Sequence, residues 1–160
     1  MSKQIENYIN AELNDNDRHI ALQFVSFLRD LNLEFEKDEN YWKNKIYFYV
    51  KNKDDYICYI AISDPDEPNN KWTVWLEDGE WYKKPLDDKT LEQIGFDSID
   101  FCGHCGSCDG GTRKVIFGKE FDNVCCTIFR FDNLSERFLP IVCKMVELRN
   151  KEILESKIGR

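Results

Sequence analysis

Residues 45–62 read KIYFYVKNKDDYICYIAI, and this segment sets the architecture that we expect for the whole chain. In its first half, Ile46, Phe48 and Val50 alternate with other residues at the period of a β-strand. The polar run 52–55 predicts a turn, and the β-branched and aromatic run 56–62 predicts a second strand. The segment therefore predicts an antiparallel hairpin in a sheet with one buried face.

Three more strands follow from similar patterns. The range 72–76 alternates after an acidic, proline-containing loop over 63–70, which cannot continue a ladder. The ranges 113–117 and 121–131 predict a second hairpin. Together these runs predict an antiparallel sheet of about five strands.

Helices are predicted before and after these strands in the sequence. Apolar residues recur at the helical period over 20–31 and again over 138–148. Pro140 would interrupt the second helix, so we expect either a kink or a helix that begins near Leu139. A short helix is predicted after Pro85, with Gly95 as its stop.

The polar segment 1–16 predicts a weakly ordered N-terminus, and the charged tail beyond Lys151 predicts a frayed end. We expect a single α+β domain over 1–160, in which the sheet packs against N-terminal and C-terminal helices. A chain of 160 residues is long enough to bury a core without help from a metal.

Composition excludes two classes of partner. The formal charge is −8, and the 30 acidic side chains are not offset by any basic stripe, so binding to nucleic acid is not expected. No apolar run approaches the length of a membrane span, so no membrane partner is expected. The chain has seven cysteines and no apolar signal core, which favours the cytoplasm, where thiols stay reduced.

A cysteine-rich loop carries the clearest chemical signal. Residues 102–108 read CGHCGSC, and Gly110-Gly111 follow shortly after them. Glycines let such a loop fold tightly around a centre, and Cys-x-x-Cys pairs supply ligands for tetrahedral zinc. With one more thiol from the later hairpin, the sequence predicts a structural zinc site within 101–126. Its ligands are Cys102, Cys105, Cys108 and Cys125.

Other uses of these thiols stay open. Bacterial ferredoxins begin with the same run and bind iron–sulfur clusters, but their following cysteine and proline are missing here. The thiols can also remain without metal. His104 could replace a thiol, and Cys126 would point away from Cys125 in a regular strand. Cys105 beside His104 has no identifiable orienting group, so no catalytic residue is predicted.

The run 102–108, followed by GGTRK over 110–114 and IFGKEFDNVC over 116–125, resembles a family of small uncharacterised bacterial proteins. Its members come mostly from anaerobic Gram-positive lineages, and the resemblance covers about residues 18–152. It implies the same four cysteine ligands, whereas position 104 varies in the family. More distantly, the order of elements is similar to YdhG-like domains, some of which are proposed iron chaperones. This is similarity of fold alone.

Aromatic residues are abundant, with four Trp, seven Tyr and eleven Phe. Packing in a half-buried sheet is one explanation. The other is a shallow pocket for cationic or flat apolar ligands, because ring faces attract cations. Trp72 and Trp75 are expected on opposite faces of one strand, so not all the rings can face solvent. The candidate rings are Tyr47, Tyr49, Trp72, Trp75 and Trp81.

Two classes of function follow from these features. The first is a non-enzymatic domain with a structural zinc, which acts by binding a protein or a small cationic ligand. The second is a thiol redox protein, or a protein that delivers iron or zinc. A colourless protein with one firmly bound zinc supports the first, and visible absorbance or readily exchanged metal supports the second.

Overall fold

The computed structural model describes residues 3–42, 44–103 and 109–158. Within these ranges the chain forms four α-helices and seven β-strands. The helices are α1 (Gln4–Glu12), α2 (Asp15–Asp30), α3 (Lys89–Phe96) and α4 (Leu139–Ile158). The strands are β1 (Glu34–Lys37), β2 (Ile46–Asn52), β3 (Asp55–Ile62), β4 (Trp72–Leu76), β5 (Ile99–Phe101), β6 (Thr112–Ile116) and β7 (Lys119–Asp132).

The sheet is antiparallel and runs in the order β1-β2-β3-β4-β7-β5, while β6 pairs with the first part of β7. This confirms the α+β class and the antiparallel sheet. The described residues contain seven strands, however, and not about five. The strands that the sequence patterns missed are β1 and β5, at the two ends of this order. They have four and three residues, which is too short for an alternating pattern to be recognised.

The two faces of the sheet differ in what covers them. Phe48 pairs with Ile60 across β2 and β3, and both side chains are buried with Val74 in the hydrophobic core. Helices α1 and α4 contact β3. On the opposite face, Tyr47, Tyr49 and other aromatic side chains are only partly buried. This second face therefore has aromatic groups that solvent can reach.

Helix α1 is docked more firmly than the polar segment 1–16 predicts. Ile5 and Ile9 lie on one side of it, Leu13 directly follows its last residue, and all three are fully buried. Arg29 of α2 donates hydrogen bonds to Glu6 through Nε at 2.6 Å and Nη2 at 2.8 Å. Three apolar residues are enough here because the helical period places all of them against the core.

The predicted helix ends are partly corrected. Helix α4 begins at Leu139, as expected, so that Pro140 falls in its first turn, where its missing N–H costs no helical bond. It extends to Ile158, well beyond the end expected near Lys151. Gly95 lies inside α3 and does not follow it. A Cβ on Gly95 would come within 2.7 Å of Phe117 Cε2, so close packing explains the glycine there.

Candidate functional site

The strands before and after the cysteine loop both pair with the same residue of β7. Phe101 of β5 pairs with Val124 on one edge of β7, and Thr112 of β6 pairs with Val124 on the other edge. Cys102 continues the first pairing, since its N–H donates to the carbonyl oxygen of Asn123 at 2.8 Å. The strands on both sides of the loop are therefore held one residue away from Cys125.

Gly111 brings the far end of the loop against β7. A Cβ at this position would lie 2.8 Å from Asn123 Cα and 2.7 Å from Asn123 C, closer than side chains normally approach a backbone. Only glycine fits this approach without a shift of the chain. The glycine-rich composition thus has a local steric reason at Gly111.

Cys125 lies among polar groups. Its Sγ is 3.5 Å from Thr127 Oγ1, and Asp100 lines the same pocket. Burial raises the pKa of Asp100, and this effect outweighs the nearby positive charge of Arg130, which lowers the pKa. A thiol with partners of this kind lies in a polar pocket wall and not in the apolar core.

Strand β7 is irregular where the cysteines lie. Its pairing with β5 shifts between the Ile99–Phe129 and Phe101–Val124 pairs, and Ile128 has a φ of +45°. Such a bulge breaks the strict alternation of side chains between the two faces. Cys125 and Cys126 both line one pocket, although their side chains would point to opposite faces of a regular strand.

The predicted zinc ligands are only partly within the described residues. Cys102 directly follows β5 and Cys125 lies on the neighbouring strand β7, whereas Cys105, Cys108 and His104 lie outside the described residues. Among the side chains of 3–42, 44–103 and 109–158, no three potential ligands come together at a metal position. The four-thiolate site therefore stays a prediction.

A connected group of rings occupies the sheet face opposite the helices, and we call it the aromatic face. Tyr47 is its centre: its ring centroid lies 5.5 Å from that of Tyr49 and 5.9 Å from that of Trp75. Burial raises the pKa of Tyr47, so the phenol stays neutral. The aromatic face consists of Trp42, Tyr47, Tyr49, Tyr56, Tyr59 and Trp75.

A pocket of about 500 Å³ lies between this face and the start of the cysteine loop. The rings of Trp42, Tyr47 and Trp75 form one wall. Gly103, Cys125 and Cys126 also line this pocket. This volume falls in the range of pockets that bind small molecules. The cysteine loop and the aromatic face, which the sequence presents as separate features, thus meet at one place.

Two cationic side chains in the pocket lie over its tryptophan rings. Lys45 Nζ is 4.8 Å from the ring centroid of Trp42, and Arg130 Cζ is 5.2 Å from that of Trp75. Lys45 also contacts Asp64 at 3.2 Å and Asp66 at 2.9 Å. Burial lowers the pKa of Lys45, but the hydrogen bonds that Lys45 donates to the two carboxylates outweigh this effect and raise the pKa.

The predicted rings divide between pocket and core. Tyr47 and Trp75 line the pocket, and Tyr49 lies next to them on the aromatic face. Trp72 is 1% exposed and Trp81 is 8% exposed, and both belong to the hydrophobic core. These two rings must be removed from the candidate set, because their faces contact other core side chains. Trp72 and Trp75 lie on opposite faces, as their spacing predicts.

Several pocket residues were missed by the sequence patterns. They are Trp42, which precedes β2, and the acidic residues of the loop after β3, which were interpreted only as a solvated turn. Arg130 was assigned to a strand without a role. The sequence feature that could have identified these residues is the cluster of carboxylates next to the alternating tyrosines. The missed pocket residues are Trp42, Lys45, Asp64, Asp66, Glu67, Asp100 and Arg130.

No protein-family model, curated protein or solved structure matches this chain. The resemblance to the bacterial cysteine-loop family and to YdhG-like domains therefore stays an expectation. None of the described helices has the length and apolar character needed to cross a membrane.

Proposed function

We propose that this chain is a cytoplasmic, non-enzymatic binding domain in which one structural zinc ion braces the pocket wall. Its ligands are Cys102, Cys105, Cys108 and Cys125. The domain acts by binding a partner, either a protein or a small cationic ligand. Zinc thiolates are compatible with the reducing conditions of the cytoplasm, where disulfides are rare.

The double pairing of Val124 is the observation that supports this proposal most strongly. Phe101 precedes the first cysteine of the loop, and Thr112 lies four residues after the last one. Because both residues pair with Val124, the loop begins and ends beside Cys125. Cys102 lies opposite Asn123, which is two residues before Cys125 on β7, so two of the proposed ligands begin from adjacent parts of the paired backbone.

A structural role for the metal is favoured by the rest of the chain. Among the described residues, the hydrophobic core extends in sequence from Ile5 to Ile153, and most of its members lie outside 101–126. Four thiolates would also leave no open coordination position for water, which catalytic zinc requires. The metal would therefore hold one region in place, and would not supply the folding free energy of the whole chain.

Elemental analysis of purified variants tests the ligand set. We expect one zinc per chain in the unaltered protein and a large loss of zinc in Cys108→Ser, since three thiolates bind zinc more weakly than four. Cys126→Ser is the matched control, and it should retain the metal because its neighbour Cys125 is the proposed ligand. Unchanged zinc content in Cys108→Ser would eliminate the four-thiolate assignment.

Removal of zinc should have a local effect. With a chelator present, amide hydrogen exchange should accelerate by about tenfold or more over 101–126 and change little in α2 and β2, since opening would remain sub-global. Exchange measured with and without chelator provides the comparison. Equal acceleration along the whole chain would show that the metal supplies a large share of the folding energy.

A thiol redox or metal-delivery protein is the second candidate. Cys125 and Cys126 line one pocket, and Cys126 is exposed, so this arrangement gives reagents access to adjacent thiols. This function predicts visible absorbance from an iron–sulfur cluster, or zinc that passes to a competing chelator within seconds. A colourless protein that keeps its zinc for hours supports the structural role instead.

A further inference from the structure

We propose that the pocket between the aromatic face and the cysteine loop binds a small organic cation with an ammonium group attached to an apolar body. This inference names the ligand class of the binding domain proposed above and rests on that proposal for its binding role. It uses only described residues of the pocket, so it does not depend on the identity of the metal.

The first argument is that the pocket rings already accept cations. Lys45 lies over Trp42 and Arg130 lies over Trp75, at 4.8 Å and 5.2 Å from the ring centroids. The negative face of an indole ring attracts a positive charge at such distances. Both indoles therefore interact with positive charges in the pocket that they line.

The second argument is the balance of charge. Lys45 and Arg130 are the cationic side chains that line the pocket among the described residues. Each is already held by two carboxylates: Lys45 by Asp64 and Asp66, and Arg130 by Glu67 at 2.7 Å and by Asp132 at 2.9 Å. Neither is left to attract an anion, so the field in the pocket favours positive ligands.

The third argument is that the net charge of the whole chain also favours a positive ligand. The formal net charge is −8, so a cation approaches a negative surface and an anion is repelled. The side chain of Asp66 is 73% exposed, and it can therefore turn from Lys45 towards a ligand without losing packing. Asp64 is held more firmly, with its side chain 13% exposed.

The size and apolar walls of the pocket define the rest of the ligand. Trp42, Tyr47 and Trp75 provide a wall on which a flat or alkyl group can lie. A bare metal ion would gain little from these rings, because it would have to give up its water shell. An organic cation loses less on desolvation, and it can place its charge near the carboxylates while its apolar part covers the rings.

Isothermal titration with benzyltrimethylammonium, and with benzylsulfonate as an anion of similar size and shape, tests the proposal at equal ionic strength. We expect saturable binding of the cation and an affinity for the anion that is lower by about tenfold or more. Equal affinities, or no saturable binding of the cation, would overturn the proposal.

Variants locate the site. Trp75→Ala removes one ring wall and should weaken cation binding by about tenfold. Asp64→Asn removes a carboxylate without removing volume and should weaken it several-fold. Tyr56→Ala is the control, because Tyr56 lies on the aromatic face but does not line the pocket. An equal loss of binding in Tyr56→Ala and Trp75→Ala would place the cation elsewhere and contradict the assignment.

Zinc content measured on the same samples separates the two proposals. Cation binding by protein that contains no zinc would support the pocket and refute the zinc site. One zinc per chain without cation binding would refute the pocket alone. Circular dichroism of each variant confirms that it is folded, so that a loss of binding is not attributed to unfolding.

Discussion

Replacement of Trp72 by alanine should lower the free energy of unfolding by about 3–5 kcal/mol, as expected for a large side chain removed from a core. Trp72 is 1% exposed, and its ring lies 6.4 Å from that of Phe24 in α2. The substitution leaves a cavity between sheet and helix that neighbouring side chains cannot fill. Because domains of this size are stable by about 5–15 kcal/mol, a large share of the stability would be lost.

Two further variants test whether the loss of stability in Trp72→Ala is caused by the removal of a buried side chain. Trp72→Phe keeps most of the apolar volume, and it removes an indole N–H that has no hydrogen-bond partner among the described residues, so its cost should be much smaller. Trp75→Ala changes the same strand on the aromatic face and should cost about 1 kcal/mol. Denaturant unfolding measures all three. A similar loss in Trp75→Ala and Trp72→Ala would contradict the assignment of the two faces.

Gly111→Ala should destabilise the chain by about 1–3 kcal/mol and weaken zinc binding together with it. The added methyl group would come within 2.8 Å of Asn123 Cα and would also clash with Asn123 Oδ1. Since backbone atoms of β7 are involved, the end of the loop has to move away from the strand that contains Cys125. The expected result is a lower midpoint of unfolding and faster transfer of zinc to a chromophoric chelator.

Gly103→Ala is the control at the other end of the same loop. No described heavy atom beyond its chain neighbours lies within 4 Å of the position that its Cβ would take. Alanine also restricts the unfolded chain, so stability should stay the same or rise by up to about 1 kcal/mol. If Gly103→Ala and Gly111→Ala unfold at the same midpoint, the close approach to Asn123 is not what requires glycine.

The sequence predicts the central elements well because their patterns are local. The run 45–62 alternates along its length, and the structure forms β2 and β3 from it. Apolar spacing similarly predicts α2 and α4, and the start of α4 at Leu139 is one of the two alternatives that Pro140 left open. Short elements are predicted poorly, since β5 has only three residues and owes its existence to pairing with β7.

The candidate site also contains some features that a local sequence pattern predicts and others that it does not. The Cys-x-x-Cys spacing over 102–108 is a local pattern, so the expectation of a metal arises from sequence alone. By contrast, Trp42, Asp64 and Arg130 are far apart in the chain and carry no shared motif. Pairing of β4 with β7 places Trp75 opposite Arg130, and only this pairing brings the aromatic wall towards the cysteine loop.

By itself, the sequence determined the hairpin over 45–62 and the helices with a 3.6-residue period, because each depends on neighbours within a few residues. From the spacing of the thiols over 102–108 it predicted a metal site. Tertiary structure alone decided which tryptophans are buried, that both edges of β7 pair at Val124, and that Cys125 and Cys126 share a pocket wall. These outcomes depend on strand order and on a bulge at Ile128, which arise from long-range packing and not from local pattern.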